Sequence, residues 1–175
     1  MKRFVLTVVL LSLCISLPSS LEAGSKKSSV DMKGMNHIFL GWVDMSPDDY
    51  HRQGYSTREQ YLAVINHANT AFQENCQSRV FSGRTMTAAK SRSDENTAGN
   101  DLYVKFSDVV YDHGYRLHLS IHFIDLKTNT EIASIPLKTY KGHFCGLEGC
   151  MDKELEEVSR ELQKALAGGA TEEKH

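Results

Sequence analysis

The sequence predicts an α+β domain, a two-layer αβ sandwich in which two helices cover one face of a mixed, mostly antiparallel sheet of four or five strands. Three observations lead to this fold class. Two segments repeat apolar residues every three or four positions, as helices with one buried face do. Two others alternate apolar and polar residues, as half-covered strands do. The elements run strand, helix, three or four strands, helix, an order that allows both helices to cover one face of the sheet.

The first half of the domain is predicted to hold one internal strand, one helix and one short strand. From His37 to Asp44 apolar residues fall on both faces, so this strand is expected in the middle of a sheet covered on both sides, or at the seam of its core. Ser56 and Glu59 form a capping box, in which we expect serine to cap the Glu59 amide and start a helix. A short strand is expected around Thr85 to Ala89. The inner stripe of the helix is predicted to be Leu62, Ile65, Ala68 or Asn69, Phe72 and Cys76.

The second half is predicted to be an antiparallel meander that follows a polar surface loop at 91–100. Alternating residues at 102–106 and 117–123 each give a strand with one apolar face. Residues 112–114 form the first predicted hairpin turn and 127–130 the second, where Asn129 is expected to be left-handed. Register is thereby fixed at both ends of the central strand.

The last two predicted elements are an edge strand and a closing helix. Pro136 has no amide hydrogen for a ladder, so the strand from Glu131 to Tyr140 is expected at an edge of the sheet. The helix is expected to start near Asp152, which would cap it. Its apolar stripe is predicted to be Leu155, Val158, Leu162, Ala165 and Leu166.

The amino-terminal region predicts export. Residues 1–23 combine a short basic start with an apolar run too short for a comfortable membrane span, which indicates a signal peptide cleaved between Ala23 and Gly24. We then expect a flexible leader at 24–36, a single αβ domain at 37–166 and a disordered tail at 167–175. Leu13 stands where a lipobox before Cys14 needs a small residue, so no lipid anchor is expected. No transmembrane span is predicted in the rest of the chain.

Charge and motifs argue against several function classes. The net charge of −2 does not indicate a nucleic-acid partner. The sequence lacks the G-x-S-x-G, H-E-x-x-H, G-x-x-x-x-G-K, G-x-G-x-x-G and C-x-x-C motifs. We therefore expect no catalysis and no cofactor.

Two histidines on one predicted strand raise the question of a metal site. His118 and His122 share a face, but residues four apart on a strand are separated by about 13 Å. They cannot bind one ion without help from another segment. We expect solvated or cross-strand-paired histidines, and a titration between pH 5 and 8 is a hypothesis.

Cysteine spacing predicts one disulfide. Cys145 and Cys150 are separated by a short segment in which Gly146 and Gly149 allow a turn, and an exported chain meets oxidising conditions. A Cys145–Cys150 bond would pin the last strand to the last helix. Cys76 is expected to be a buried thiol, with pairing to Cys145 or Cys150 left open.

The loop after the first strand is the predicted place for a small-molecule site, because open α/β sheets often bind ligands there. Asp44, Asp48, Asp49 and His51 are its candidate ligands, although their spacing differs from that of a calcium loop. The alternative function is therefore an exported small-ligand or metal-binding protein, or a hydrolase, that uses the loop at 44–55.

Two segments resemble bacterial periplasmic αβ modules. The turn from Ile124 to Ile132 (IDLKTNTEI) and the helix from Asp152 to Leu166 (DKELEEVSRELQKAL) look like the amino-terminal domain of the Tol-system propeller protein, the curli-secretion lipoprotein and the activator lipoproteins of penicillin-binding proteins. The resemblance implies a non-enzymatic periplasmic module for protein binding or envelope assembly. Its partner would be an envelope protein or a second copy, and the candidate contact residues are Tyr50, Tyr55, Pro136 and Tyr140.

Overall fold

A computed structural model describes residues 30–45, 56–111, 116–139 and 147–167. Within these residues lie five strands and two long helices, and the predicted α+β class is confirmed. The bounds are β1 His37–Leu40, α1 Arg58–Asn75, β2 Thr85–Ala88, β3 Leu102–Tyr111, β4 Leu117–Asp125, β5 Thr130–Lys138 and α2 Leu147–Ala167.

The sheet has the order β2-β1-β3-β4-β5. β1 runs parallel to both of its neighbours, whereas β3, β4 and β5 form an antiparallel meander. The predictions that β1 is internal and that the Pro136 strand is at an edge are both confirmed. In the turn between β4 and β5, Asn129 has a φ of 52°, so the left-handed residue was also predicted correctly.

Both helices pack on one face of the sheet, which we call the covered face. β4 sends Leu119, Ile121 and Phe123 to this face, and all are buried. Because strand side chains alternate, the face of β4 that meets the helices is continuously apolar. The helices contribute Tyr61, Ile65, Ala68 and Phe72 from α1 and Met151, Leu155, Val158, Leu162 and Ala165 from α2.

A smaller cluster lies on the opposite face at one end of the sheet. Phe39 is 1% exposed, and its ring lies edge-on to that of Tyr103 with the centroids 5.4 Å apart. Ala89 is also buried here, and Trp42 packs partly against the cluster. This second cluster explains why β1 carries apolar residues on both faces.

Helix α1 begins one residue later than the capping box predicted. Thr57 is the N-cap, and its side chain accepts a hydrogen bond from the Gln60 amide at 3.2 Å, so the expectation that Ser56 caps Glu59 was wrong. After Asn75 the helix widens into one π-helical turn, Cys76–Val80. Gly83 then reverses the chain with a φ of 81°, which glycine adopts without steric strain.

Helix α2 begins at Leu147, so the predicted start near Asp152 was wrong. Asp152 lies in the second turn, where it cannot act as an N-cap. Four of the five predicted stripe residues are buried and Leu166 is partly buried, so the stripe itself is confirmed. Neither described helix is apolar over a length that would cross a membrane.

Packing extends toward the amino terminus beyond the predicted domain start at residue 37. Val30 and Met32 are buried in the main core, and the Val30 amide donates to the Ala165 carbonyl at 3.0 Å. Within the segment at 30–36, which the composition assigns to a leader, Val30 therefore bonds to α2. The Gly and Lys residues of this segment indicated a leader, but its apolar residues Val30 and Met32 are two positions apart and can face the same side.

Candidate functional site

The face of β3, β4 and β5 that points away from the helices carries mostly polar side chains, and we call it the open face. No described element covers it between these three strands. Alternation places Ser120 and His122 of β4 here, since their neighbours Ile121 and Phe123 lie in the core. Lys105 and Ser107 join them from β3, and Ser134, Pro136 and Lys138 from β5.

His122 lies at the centre of a hydrogen-bonded cluster that joins the three strands. Its Nε2 is 2.8 Å from Ser107 Oγ on β3, and its Nδ1 is 2.8 Å from Glu131 Oε2 on β5. Ser134 Oγ lies 3.3 Å from the same Nδ1, and Ser107 Oγ also lies 2.8 Å from Asp108 Oδ2. The expected cross-strand pairing of His122 is thus observed. We call Ser107, Asp108, His122, Glu131 and Ser134 the His122 cluster.

The hydrogens of the cluster follow from its donors and acceptors. An ionised Glu131 only accepts, so the Nδ1 that faces it carries a hydrogen. In a neutral imidazole the other nitrogen, Nε2, is then an acceptor for the Ser107 hydroxyl. That hydroxyl has one hydrogen, so the Asp108 carboxylate competes with Nε2 for it.

A β-bulge directly follows Ser107 in β3. The pairing register of β3 with β4 shifts between Ser107 and Val110, and Asp108 has a φ of 53°. Aspartate tolerates this left-handed conformation better than most residues. Such bulges bend a strand and redirect its side chains. A second register shift lies opposite Phe123 and Ile124, which pair with Ala133 and Glu131 of β5 and leave Ile132 outside the register.

The edge of the sheet at β5 presents backbone groups away from β4. The Thr139 amide donates to the Leu117 carbonyl, and in an antiparallel ladder every second residue bonds to the same neighbour. Leu137 and Ile135 therefore bond to β4, whereas Ser134 and Pro136 point outward. Pro136 stands where its missing amide hydrogen costs no ladder bond.

Apolar side chains near this edge are incompletely covered. Ile135 and Leu137 lie on the covered face but are only partly buried. Ile132, in the bulge of β5, is 42% exposed, whereas Val110, which is 56% exposed, lies on β3 and away from this edge. Those are the two large exposed apolar side chains of the described residues. The edge thus combines backbone polar groups with unburied apolar area.

The predicted ligand loop is described only at its start. Asp44 lies 3.6 Å from the Arg92 guanidinium, as a surface ion pair would. Asp48, Asp49, His51, Tyr50 and Tyr55 lie outside the described residues, as does Tyr140. The described part of the chain brings together no group of three or more His, Cys, Asp or Glu side chains that could hold a metal.

Two side chains of α1 fix the backbone from which this loop departs. Buried Asn69 accepts from the Val43 amide at 3.0 Å and donates to the Val43 carbonyl at 3.0 Å. The buried hydroxyl of Tyr61 donates to the Met45 carbonyl at 2.7 Å. The helix therefore replaces the strand partner that residues 43–45 lack.

The cysteines differ in how far their chemistry can be described. Cys76 is a free, buried thiol whose Sγ lies 3.6 Å from Ser159 Oγ, so its pairing with Cys145 or Cys150 is excluded. Burial raises the pKa of Cys76 to about 12, which makes it a poor nucleophile. Cys150 is buried in the first turn of α2. Cys145 lies outside the described residues, and the Cys145–Cys150 disulfide stays a prediction.

Comparison with known proteins gives one weak structural likeness. The sequence matches no protein-family model, and no curated protein is similar to it. The solved structure of a PelC dodecamer from Paraburkholderia phytofirmans, a single-substitution variant, superimposes with a TM-score of 0.40 at 10% identity. The match covers 74% of this chain and 87% of that one. At this level the likeness supports no functional argument.

Proposed function

We propose that this chain is an exported binding module of a bacterial cell envelope that docks an extended segment of a protein partner along β5. The observation that carries the proposal is the β5 edge itself. Ser134 and Pro136 direct backbone groups away from the sheet, and no described strand lies beyond them. An extended peptide added to such an edge gains main-chain hydrogen bonds.

The side chains along β5 define the chemistry of the segment. Ile135 and Leu137 on the covered face are only partly buried, so alternate apolar residues of an added strand would extend the core past them. On the other side, Ser134 and Pro136 are exposed, which suits polar or small residues. The partner is therefore a strand with one apolar and one polar face.

Pro136 restricts how such a strand can bind. Its carbonyl accepts a hydrogen bond from a partner, but it offers no amide donor. A partner must leave the matching carbonyl solvated or interrupt its own strand there. Proline on an edge also limits unselective strand pairing, so it adds selectivity to the docking site.

Export and envelope location belong to the same proposal. They rest on the signal-peptide pattern at 1–23 and on the resemblance to periplasmic modules. A binding role without catalysis at the β5 edge agrees with that resemblance. Location is tested by fractionating cells and determining the amino terminus of the mature chain, which we expect at Gly24.

The decisive test of docking removes an outward-facing backbone donor of β5 and leaves the hydrogen bonds between β5 and β4 in place. Ser134→Pro removes an outward amide donor, whereas the bonds of β5 to β4 come from Ile135 and Leu137. A photocrosslinker at exposed Lys138 should capture the partner in the native envelope, and Ser134→Pro should abolish capture. Ser134→Ala is the matched control, because it also loses the contact with His122 but keeps the amide.

The outcomes separate the alternatives. Capture that survives Ser134→Pro, with circular dichroism and melting temperature unchanged, would contradict strand addition. A crosslink between two copies of this chain that Ser134→Pro abolishes would identify the docked segment as its own and replace the hetero-partner by a homo-oligomer. A crosslinker at exposed Ala63 on α1 should capture neither a protein partner nor a second copy of the chain, since Ala63 lies on a helix surface outside the sheet.

A further inference from the structure

We propose that Ser107 is a nucleophile that His122 activates for acyl transfer from small esters. This inference is independent of docking at β5 and departs from the expectation that the chain has no catalytic activity. It rests on the geometry of the His122 cluster. The substrate class is a small ester or thioester with a good leaving group.

The three side chains have the mutual positions of a nucleophile, a base and the carboxylate that orients the base. Ser107 Oγ is 2.8 Å from His122 Nε2, and His122 Nδ1 is 2.8 Å from Glu131 Oε2. Both distances are within hydrogen-bond reach, and such triads are recognised by geometry rather than by sequence order. The groups come from three adjacent strands, so the sheet fixes their separation.

The environment holds the imidazole in one orientation. His122 is 21% exposed and Glu131 is 49% exposed, so the base is more sheltered than the carboxylate that orients it. Glu131 accepts from Nδ1, and Nε2 therefore faces Ser107 with its lone pair. When the Ser107 hydroxyl turns from Asp108 Oδ2, to which it donates here, its proton has an acceptor in Nε2 at 2.8 Å.

The reaction balances with water as the only co-reactant. Ser107 Oγ attacks the carbonyl carbon while its proton moves to His122 Nε2. The bond to the leaving oxygen or sulfur breaks, the leaving group takes that proton, and Ser107 is left as an ester. Water then attacks the ester, with Nε2 again taking and returning a proton, and releases the acid and the free hydroxyl.

The bulge beside Ser107 bears on the transition state in two opposing ways. Asp108 and Val109 have no pairing partner across the ladder, and the amide after a nucleophile commonly donates to an oxyanion. However, the Asp108 carboxylate, 2.8 Å from Ser107 Oγ, competes for the serine proton and opposes negative charge on the oxygen. The unmodified site should therefore be a slow acyl acceptor, restrained by Asp108.

The open face sets the substrate size. Ser107 is partly exposed on the open face, and exposed Val110 lies on the same face beyond the bulge. A short acyl chain can approach the hydroxyl there. Nothing described around the cluster holds a long or branched one, so leaving-group quality should govern the rate more than acyl shape does.

The test uses the purified full-length mature chain and p-nitrophenyl acetate, with p-nitrophenol release and peptide mass spectrometry as readouts. We expect an acetyl adduct on Ser107 that Ser107→Ala abolishes. Ser120→Ala is the matched control, because Ser120 pairs directly with Ser107 on the same face. His122→Gln should slow acylation roughly 100-fold. Asp108→Gly should speed it several-fold, since glycine keeps the left-handed backbone without the carboxylate.

Glu131 acts as a positioning residue, and its test needs a readout besides rate. Glu131→Gln should change the balance of the two imidazole tautomers, which nitrogen NMR of labelled His122 measures directly. The proposal is overturned if the acetyl adduct lies on lysine or Ser120, or if phenol release is unchanged in Ser107→Ala. A rate equal to that of free serine at the same pH in the Asp108→Gly variant would overturn it as well.

Discussion

The covered face of the sheet provides the buried core, whereas the open face carries the polar side chains that could react or bind. Adjacent residues of β4 show this difference. Phe123 is fully buried against the helices, whereas its neighbour His122 on the open face bonds to three side chains from the two flanking strands. Removing a residue from the covered face leaves a cavity that neighbours cannot fill. On the open face water replaces what is removed, so residues there can change at little energetic cost.

The largest effect is expected for Phe123→Ala. Truncating this buried ring should lower the free energy of unfolding by about 3–5 kcal/mol. His122→Ala, one residue away, should lower it by at most about 1 kcal/mol, because solvent reaches the groups it leaves. Urea unfolding of both variants measures the contrast. Equal losses would show that the open face is covered by part of the chain or by a partner.

The next largest loss of stability is expected when Asn69, a buried polar residue of α1, is replaced. Asn69→Ala leaves the amide and carbonyl of Val43 without their partner, at about 1–3 kcal/mol for each buried group. Asn66→Ala, on the exposed side of the same helix, is the control and should change stability little. Thermal and urea unfolding measure the difference. A small loss for Asn69→Ala would mean that water reaches Val43.

Periodicity predicted the covered face well, because burial leaves a direct trace in sequence. Alternation at 117–123 identified the inner residues of β4, and the stripe from Leu155 to Leu166 identified the inner side of α2. Pro136 gave the edge strand and Asn129 the turn, since both have conformational limits that few other residues share.

The His122 cluster was not predicted, apart from the pairing of His122 itself. Glu131 faces His122 because a bulge shifts the register of β5, and a bulge has no periodic signature. Ser107 lies in the regular part of β3, diagonal to His122, and only the pairing of the two strands brings them together. Polar residues at alternate positions of three predicted strands were the available signal. The start of α2 was also missed, since Gly146 and Gly149 favour a turn and Asp152 is a good cap.

The predicted disulfide offers a different way to stabilise the covered layer, at the first turn of α2. Closing so short a loop should contribute about 2 kcal/mol in the chain-entropy model. Replacing both Cys145 and Cys150 by serine should lower the melting temperature of the oxidised protein and leave the fold. Cys145→Ser alone is the cleaner variant, because it adds no hydroxyl at buried Cys150. Reduced wild-type protein should melt at the same temperature as Cys145→Ser. An unchanged melting temperature of Cys145→Ser relative to oxidised wild type would exclude the disulfide.

The smallest change in stability is expected for a substitution of Asp101, which directly precedes β3 at one end of the sheet. Lys127 binds its carboxylate at 3.0 Å, and the amides of Asn36 and His37 donate to it, so the pKa of Asp101 is lowered. A carboxylate with a lowered pKa stabilises the fold above its ordinary pKa of about 3.9, and this stabilisation is lost as pH falls below that value.

Asp101→Asn should therefore melt below wild type at pH 7, and the gap should close toward pH 2. The exposed Asp31→Asn is the control and should follow wild type at both values. A gap that persists in acid would assign the role of Asp101 to hydrogen bonds that survive protonation. The stability of this end of the sheet would then rest on the shape of the side chain rather than on its charge.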